Sequence, residues 1–229
     1  MNISGFEKLT LLDYPGGKVA AIVFTQGCNF KCSYCQNSGL LKFNNDNLIS
    51  EDEVLSYLQK RKNMLDGIVI SGGEPTLQKG LTAFIKKVKS LGLLVKLDTN
   101  GSNPDILKYL LDNKLIDYVA MDIKDDFTKY ENITMCKVNY DNIKKSISLL
   151  LNSHIEYEFR TTIMKNIHSI DDIRHIAGLI GLKPKYYLQN FRDSEGVLDK
   201  SLRSFSKEEL KNWQRILDTE FPNLMIRGL

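Results

Sequence analysis

Three thiols fall within eight residues, Cys28-Asn29-Phe30-Lys31-Cys32-Ser33-Tyr34-Cys35. The spacing is Cys-x3-Cys-x2-Cys, and it follows directly on an apolar run at 19–24. Thiolates are soft ligands that suit zinc or iron–sulfur groups. A closed structural zinc takes four protein ligands, and the sequence offers no fourth beside these three. A bound metal would therefore keep one position open. A zinc completed from a distance by Cys136, His154, His168 or His175 is one reading. An iron–sulfur cube is the other; it suits thiolates and leaves one iron without a protein ligand. Cys136 stands alone after a charged stretch and reads as a free or half-buried thiol.

Further polar clusters punctuate the apolar runs. Gly72-Gly73 would let a ligand approach the backbone closely, because no Cβ intervenes. Glu74 adds a carboxylate suited to an ammonium group, and Pro75 holds it extended. Asp98-Thr99-Asn100-Gly101 has the form of an Asx turn. Asp122 and Lys124 could be a surface ion pair of little worth. Arg160 lies inside an otherwise apolar run, which is costly unless it is paired; a carboxylate is its natural partner. Gln189-Asn190-Phe191-Arg192 closes the set.

Strands and helices must bring these groups together. Short apolar or β-branched runs at 19–25, 67–71, 93–97, 117–123, 155–164, 185–190 and 224–227 predict strands. Between them, helical spacing predicts helices from Ser50, over 77–91, from Asn103, over 139–152, over 169–181 and from Ser206 to Leu217. Regular alternation implies a parallel sheet with crossover helices, an α/β fold. About six units fit either an open doubly wound sheet or an incomplete barrel. Either way, ligands gather at the C-terminal ends of the strands. Every polar cluster above falls at or near that end of its strand, which makes a shared pocket the natural reading.

The bulk numbers narrow the class. At 229 residues, the expectation is one domain over 1–229. A net charge of +3 is too small to argue for nucleic acid, and Lys86, Lys87 and Lys89 read as a solvated helix face. No window reaches the roughly 18–20 apolar residues of a membrane span, and residues 1–10 lack a signal layout. A cytoplasmic protein is the expectation. Clustered cysteines in a chain this size do not form a disulfide framework.

The cysteine motif, with Tyr34 before its last Cys and Gly-Gly-Glu-Pro at 72–75, resembles the radical S-adenosylmethionine (SAM) superfamily. The stretches Thr10-Leu11-Leu12-Asp13-Tyr14-Pro15-Gly16 and Phe24-Thr25-Gln26-Gly27-Cys28 are similar to the small activating enzymes of glycyl-radical proteins. That group includes the activators of anaerobic ribonucleoside-triphosphate reductase. Asn37, Asp98-Thr99-Asn100-Gly101 and Asp122-Ile123-Lys124 match the pyruvate formate-lyase activating enzyme pattern.

The resemblance implies an incomplete TIM-like barrel of parallel β/α units. It also implies one 4Fe–4S cluster on Cys28, Cys32 and Cys35, with SAM on the open iron. Tyr34 and Asn37 would lie against SAM. Gly72, Gly73 and Glu74 would hold its ammonium, Lys124 and Arg160 would face its carboxylate, and Thr99 and Arg192 would contribute further contacts. Asp98 and Asp122 would hold a monovalent cation. Residues 36–71 contain no Cys, so no ferredoxin-like insert is expected. The implied activity is reductive cleavage of SAM to a 5′-deoxyadenosyl radical, which takes hydrogen from a glycine Cα on a partner. Reduced flavodoxin or ferredoxin would be the donor. Two alternatives stay open at this point: a radical SAM enzyme acting on a small molecule or peptide, and a non-catalytic metal or electron-transfer module.

Overall fold

The β-branched runs become eight strands that pair in chain order in the computed structural model, which describes residues 1–43 and 47–229. They are β1 (Ile3–Thr10), β2 (Ala20–Thr25), β3 (Gly67–Gly72), β4 (Leu94–Thr99), β5 (Tyr118–Asp122), β6 (Glu156–Ile163), β7 (Lys185–Asn190) and β8 (Leu224–Arg227). From β2 to β8 every pairing is parallel, whereas β1 runs antiparallel to β2. β1 and β8 are the two edges of the sheet, so it is an open, partial barrel.

Seven helices cover the sheet: α1 (Glu51–Arg61), α2 (Leu81–Ser90), α3 (Pro104–Asp112), α4 (Tyr130–Thr134), α5 (Tyr140–Leu151), α6 (Ile170–Ile180) and α7 (Lys207–Leu217). Their starts are chemically marked. The Ser50 hydroxyl accepts from Glu53 N, and Ser169 and Ser206 each complete a capping box. Pro104 sits in the first turn of α3. The expected strands all form. The expected helix over 77–91 divides into a 3-10 turn at Pro75–Leu77 and α2.

Two elements lay beyond the sequence pattern. β1 buries only its end residues, Ile3 and Thr10, and carries Glu7 and Lys8 on exposed positions. It alternates poorly because it is a bulged edge strand, where charge discourages edge-to-edge pairing. α4 is five residues long, too short for a periodicity to register.

The core has two parts. A large one lies between sheet and helices, where α2 buries Leu81, Phe84, Ile85 and Val88. A small one lines the inner face of the barrel: Tyr14, Ala20, Ile22, Val69, Tyr118 and Ala120. Because side chains alternate along a strand, Tyr118 and Ala120 share their face with Asp122. The inner face thus turns from apolar to charged toward the C-terminal ends of the strands. Among the described residues no helix is long and apolar enough to cross a membrane.

Phe84 is fully buried beneath α2. Phe84→Ala should destabilise the fold by about 3–5 kcal/mol, read as a lowered denaturant midpoint with an unchanged slope.

Candidate active site

The cysteine loop is fastened by three separate neighbours. From β3, Gly73 N donates to Thr25 O and Glu74 N to Gly27 O, each at 2.8 Å. From the end of α4, Thr134 O accepts Lys31 N and Ile133 O accepts Ser33 N, each at 2.9 Å. From the loop after β7, Asp199 N donates to Ser33 O at 2.9 Å, and Arg192 O accepts Gln36 Nε2 at 2.9 Å.

The two glycines of β3 serve this fastening directly. A Cβ on Gly73 would come within 2.1 Å of Gly27 O, and one on Gly72 within 2.3 Å of Thr25 N. Their lack of side chains is demanded by the neighbouring backbone, not only by a ligand.

Cys28, Cys32 and Cys35 line one wall of a cavity of about 750 Å3 at the C-terminal ends of the strands. Cys28 Sγ accepts from Phe30 N at 3.4 Å, and Asn100 Nδ2 lies 3.9 Å away. Burial pushes the Cys28 thiol up to about 12 and that of Cys32 up to about 11; Cys35 is raised for the same reason. The Lys124 charge pulls all three the other way. A metal group loaded here must displace the thiol protons.

Among the described residues, no three His, Cys, Asp or Glu side chains converge on a point that one metal ion could occupy. The proposed fourth zinc ligands are also engaged elsewhere or exposed. Cys136 Sγ donates to Asn29 O, and His175 contacts Asp126. Both ring nitrogens of His168 are hydrogen-bonded to backbone, and His154 is exposed. Three thiols on one loop therefore fit a cluster, in which each thiolate takes a different iron, better than a closed zinc.

Opposite the thiols stands a ladder of buried charge. In the parallel register Asp122 lies beside Arg160. Arg160 Nε donates to Asp122 Oδ1 at 2.8 Å and Nη1 to Asp98 Oδ2 at 3.4 Å. Lys124 Nζ donates to Asp122 Oδ2 at 3.0 Å and sits 5.5 Å from the centre of the Tyr34 ring. Lys96 Nζ lies 3.0 Å from Asp98 Oδ1 and donates to Asp13 O at 2.6 Å. Burial opposes ionisation of Asp122, yet Arg160 and Lys124 hold its carboxyl down at about 2. Asp98 is lowered in the same contest, by Arg160 and Lys96. Burial disfavours the charge on Lys124, but Asp122 together with Tyr34 and Cys32 more than offsets it. Arg160 Nη2 has no partner among the described residues, so part of its fork remains available.

Glu74 is fully buried. Its Oε1 accepts from Thr76 N at 3.1 Å, Thr76 Oγ1 at 2.5 Å and Thr99 Oγ1 at 2.8 Å. Oε2 accepts only from Asn100 N, at 2.7 Å, and keeps acceptor capacity. Burial pushes this carboxyl up despite the four donors.

The structure thus gathers every residue expected at the site: Cys28, Cys32, Tyr34, Cys35, Asn37, Gly72, Gly73, Glu74, Asp98, Thr99, Asp122, Lys124, Arg160 and Arg192 all line the cavity. The Asp122–Lys124 pair is not a surface pair, since Lys124 is 7 % exposed. Sequence reasoning missed Lys96, a lysine in an apolar run that carries the same signal as Arg160. It named Asn100 only within its motif and gave it no role of its own; Asn100 reaches both Glu74 and the cysteine loop, the latter through Asn29 Oδ1 at 3.0 Å. Arg227, from the last strand, had no local signal at all.

Comparison with known proteins agrees. The family model described as the radical SAM superfamily matches residues 22–180. A Methanocaldococcus jannaschii protein bearing the name of a glycyl-radical enzyme activating enzyme is 36 % identical over 99 % of this chain and 96 % of its own. The pyruvate formate-lyase-activating enzyme of Clostridium pasteurianum is 31 % identical over 78 % of this chain and 75 % of its own. Among solved structures, Streptococcus suis SuiB bound to S-adenosylmethionine superposes with a TM-score of 0.71 at 16 % identity, covering 89 % of this chain. The chain spans about half the length of SuiB, 48 %, and the likeness concerns the fold alone.

Two outcomes follow from the geometry. Gly73→Ala should drive its methyl into Gly27 O and shift the cysteine loop, giving a folded protein that takes up less iron on reconstitution. His168 Nδ1 accepts from Met164 N, so Nε2 carries the proton donated to Lys124 O at 3.1 Å. Burial lowers the His168 pKa, so the folded state holds the neutral ring. Its contribution to stability is fully present above the unfolded value of about 6.5 and is lost as pH falls through the lowered folded value. Denaturation of wild type against His168→Gln should show the steeper acid loss in wild type.

Proposed function

The chain belongs to the radical SAM superfamily, and from that premise we propose that it is an activating enzyme that installs a glycyl radical on a partner protein, with anaerobic ribonucleotide reductase as the favoured partner. The observation that carries this reading is the juxtaposition of three thiols, Cys32 buried and Cys28 and Cys35 half-buried, with a cavity whose opposite wall is poised for a zwitterion. A single 4Fe–4S cluster held by Cys28, Cys32 and Cys35 would supply the one-electron reduction that cleaves SAM, and the 5′-deoxyadenosyl radical so generated would take hydrogen from a glycine Cα of the partner.

The chain's own residues do the rest. Cys28, Cys32 and Cys35 hold the cluster. Glu74 Oε2 and the backbone at Gly73 meet the methionine ammonium, and Arg160 Nη2 with Lys124 meets the carboxylate. Tyr34, Asn37 and Arg192 form the wall for the nucleoside. Asp98 and Asp122, with Thr99 beside them, are the candidate partners of a monovalent cation, which would compete for these carboxylates with Lys96, Lys124 and Arg160. No general base is needed, because hydrogen moves to a carbon radical.

The barrel's open side gives the partner its entrance. Leu12, Asp13 and Pro15 after β1 line the cavity on one side, and Arg227 and Gly228 of the β8 edge line it on the other. Leu12 is 92 % exposed at this rim, a contact ready for a protein surface. A single domain without a second cluster, working in the cytoplasm with reduced flavodoxin or ferredoxin, completes the proposal.

Anaerobic reconstitution tests it. About four irons and four sulfides per chain are expected, with SAM cleaved on reduction; Cys32→Ala should lose both cluster and cleavage. With the partner added, electron paramagnetic resonance should show a glycyl-radical doublet. Stable stoichiometric zinc without SAM cleavage would overturn the assignment. Cleavage with no radical on any large partner would move it to small-molecule or peptide chemistry.

A further inference from the structure

The mechanism above leaves the buried carboxylate of Glu158 without a task. Glu158 of β6 is 1 % exposed and stands two residues before Arg160, on the same face of the strand. Tyr118 Oη donates to its Oε2 at 2.8 Å. Arg227 of the edge strand β8 donates through Nη2 to Oε1 at 3.1 Å and to Oε2 at 3.0 Å. The guanidinium also lies 3.8 Å from the centre of the Tyr187 ring. Residues of β5, β6 and β7 thus hold one side chain of β8 in place. Arg227 lines the main cavity beside Gly228, at the open edge of the barrel. Only its Nη2 is engaged. Nε and Nη1 have no partner among the described residues, and the side chain is 39 % exposed.

We propose that Arg227 grips the backbone of the partner's glycine segment, its spare N–H groups donating to a neutral peptide carbonyl. The proposal rests on the activating-enzyme reading above and names a recognition element within it. Glycine offers no side chain to hold, so a site that selects it must read main-chain groups. β8 borders the open side by which that segment enters, and its Arg227 brings donors that nothing in the chain itself uses.

The charge balance at Arg227 suits a carbonyl. Glu158 offsets the guanidinium, so the pair carries no net charge and offers an anion little. A neutral acceptor still gains a hydrogen bond to a charged donor, one of the stronger kinds. Arg192, the other exposed cation at this edge, stands 4.0 Å from where a side chain on Gly228 would begin, and belongs to the nucleoside wall. Stacking on Tyr187 fixes the plane of the Arg227 fork, and Tyr118 fixes the carboxylate that holds it. A donor oriented in advance loses less freedom when the segment arrives.

The test pairs the reconstituted full chain with the anaerobic ribonucleotide reductase of the same organism, with dithionite as reductant. It reads KM for the reductase and the number of glycyl radicals formed per 5′-deoxyadenosine released. In Arg227→Met, which keeps an unbranched stem but has no donor, KM should rise at least about tenfold and the radical yield per cleavage should fall. Arg227→Lys, which has donors but no planar fork, should recover part of both. Wild-type KM and yield in Arg227→Met would overturn the assignment. So would a lowered denaturant midpoint with KM and yield unchanged, the mark of an ion pair that only pins an edge strand. A blocked neutral peptide, N-acetyl-triglycine amide, separates this role from the reading it rests on. By NMR, wild type should bind it more tightly than Arg227→Met does, and equal binding would overturn the role. Wild type that cleaves SAM but puts no radical on the reductase would overturn the partner instead, and the peptide affinities would still decide Arg227.

Discussion

Five charges on three adjacent strands, Lys96 and Lys124 buried and Asp98, Asp122 and Arg160 half-buried, govern the rest of the molecule. An isolated ion in a protein interior is costly, and it persists only where opposite charge and hydrogen bonds surround it. Here Lys96, Asp98, Asp122, Lys124 and Arg160 meet that condition mutually, each within 3.4 Å of an opposite partner. Three cations stand against two carboxylates, so one positive charge is left without an internal partner. The free Nη2 of Arg160 shows where that surplus is directed. An anion is what the ladder lacks, and a carboxylate in the cavity completes it. The same ladder reaches outward. Lys96 captures Asp13 O and ties down the entrance loop, and Lys124 reaches the Tyr34 ring and biases all three thiols. Substitutions within it will not act additively, because each member stabilises the charge of the next.

The cysteine loop is the second half of the same logic. It has no regular secondary structure to fix it, so its backbone groups must find partners elsewhere. They find them on β3, on the end of α4 and on the loop after β7. Anchorage from three directions fixes where the sulfurs point before any metal arrives. Burial favours the protonated form of the three thiols, so a metal group that binds them must displace their protons. Lys124 lowers the cost of ionising them once a cluster is there to accept their electrons. The two walls are therefore coupled through one amine.

Much of this was legible in the residues. The strands could be read because β2 to β5 are largely buried on both faces and leave continuous apolar runs, while β6 alternates. Parallel pairing then put every polar strand end on one rim, and the cysteine spacing said what that rim was for. β1 escaped because an edge strand shows neither alternation nor a continuous run. Lys96 escaped because a single lysine in an apolar segment resembles a solvated end until its neighbours are known. The glycines at 72 and 73 were recognised as important, but part of the reason was hidden: the obstacle to a side chain is Gly27 and Thr25, some 45 residues earlier in the chain. Tertiary proximity of that kind leaves no trace in local pattern.

The alternation of side chains along the cysteine loop has a consequence for the chemistry itself. A carbon-centred radical survives only where water and stray donors are excluded. Cys32 lines the main cavity, whereas Lys31 and Ser33 on either side of it line a separate hollow on the surface. Tight hydrogen bonding on both sides of Cys32 keeps that partition thin and rigid at once.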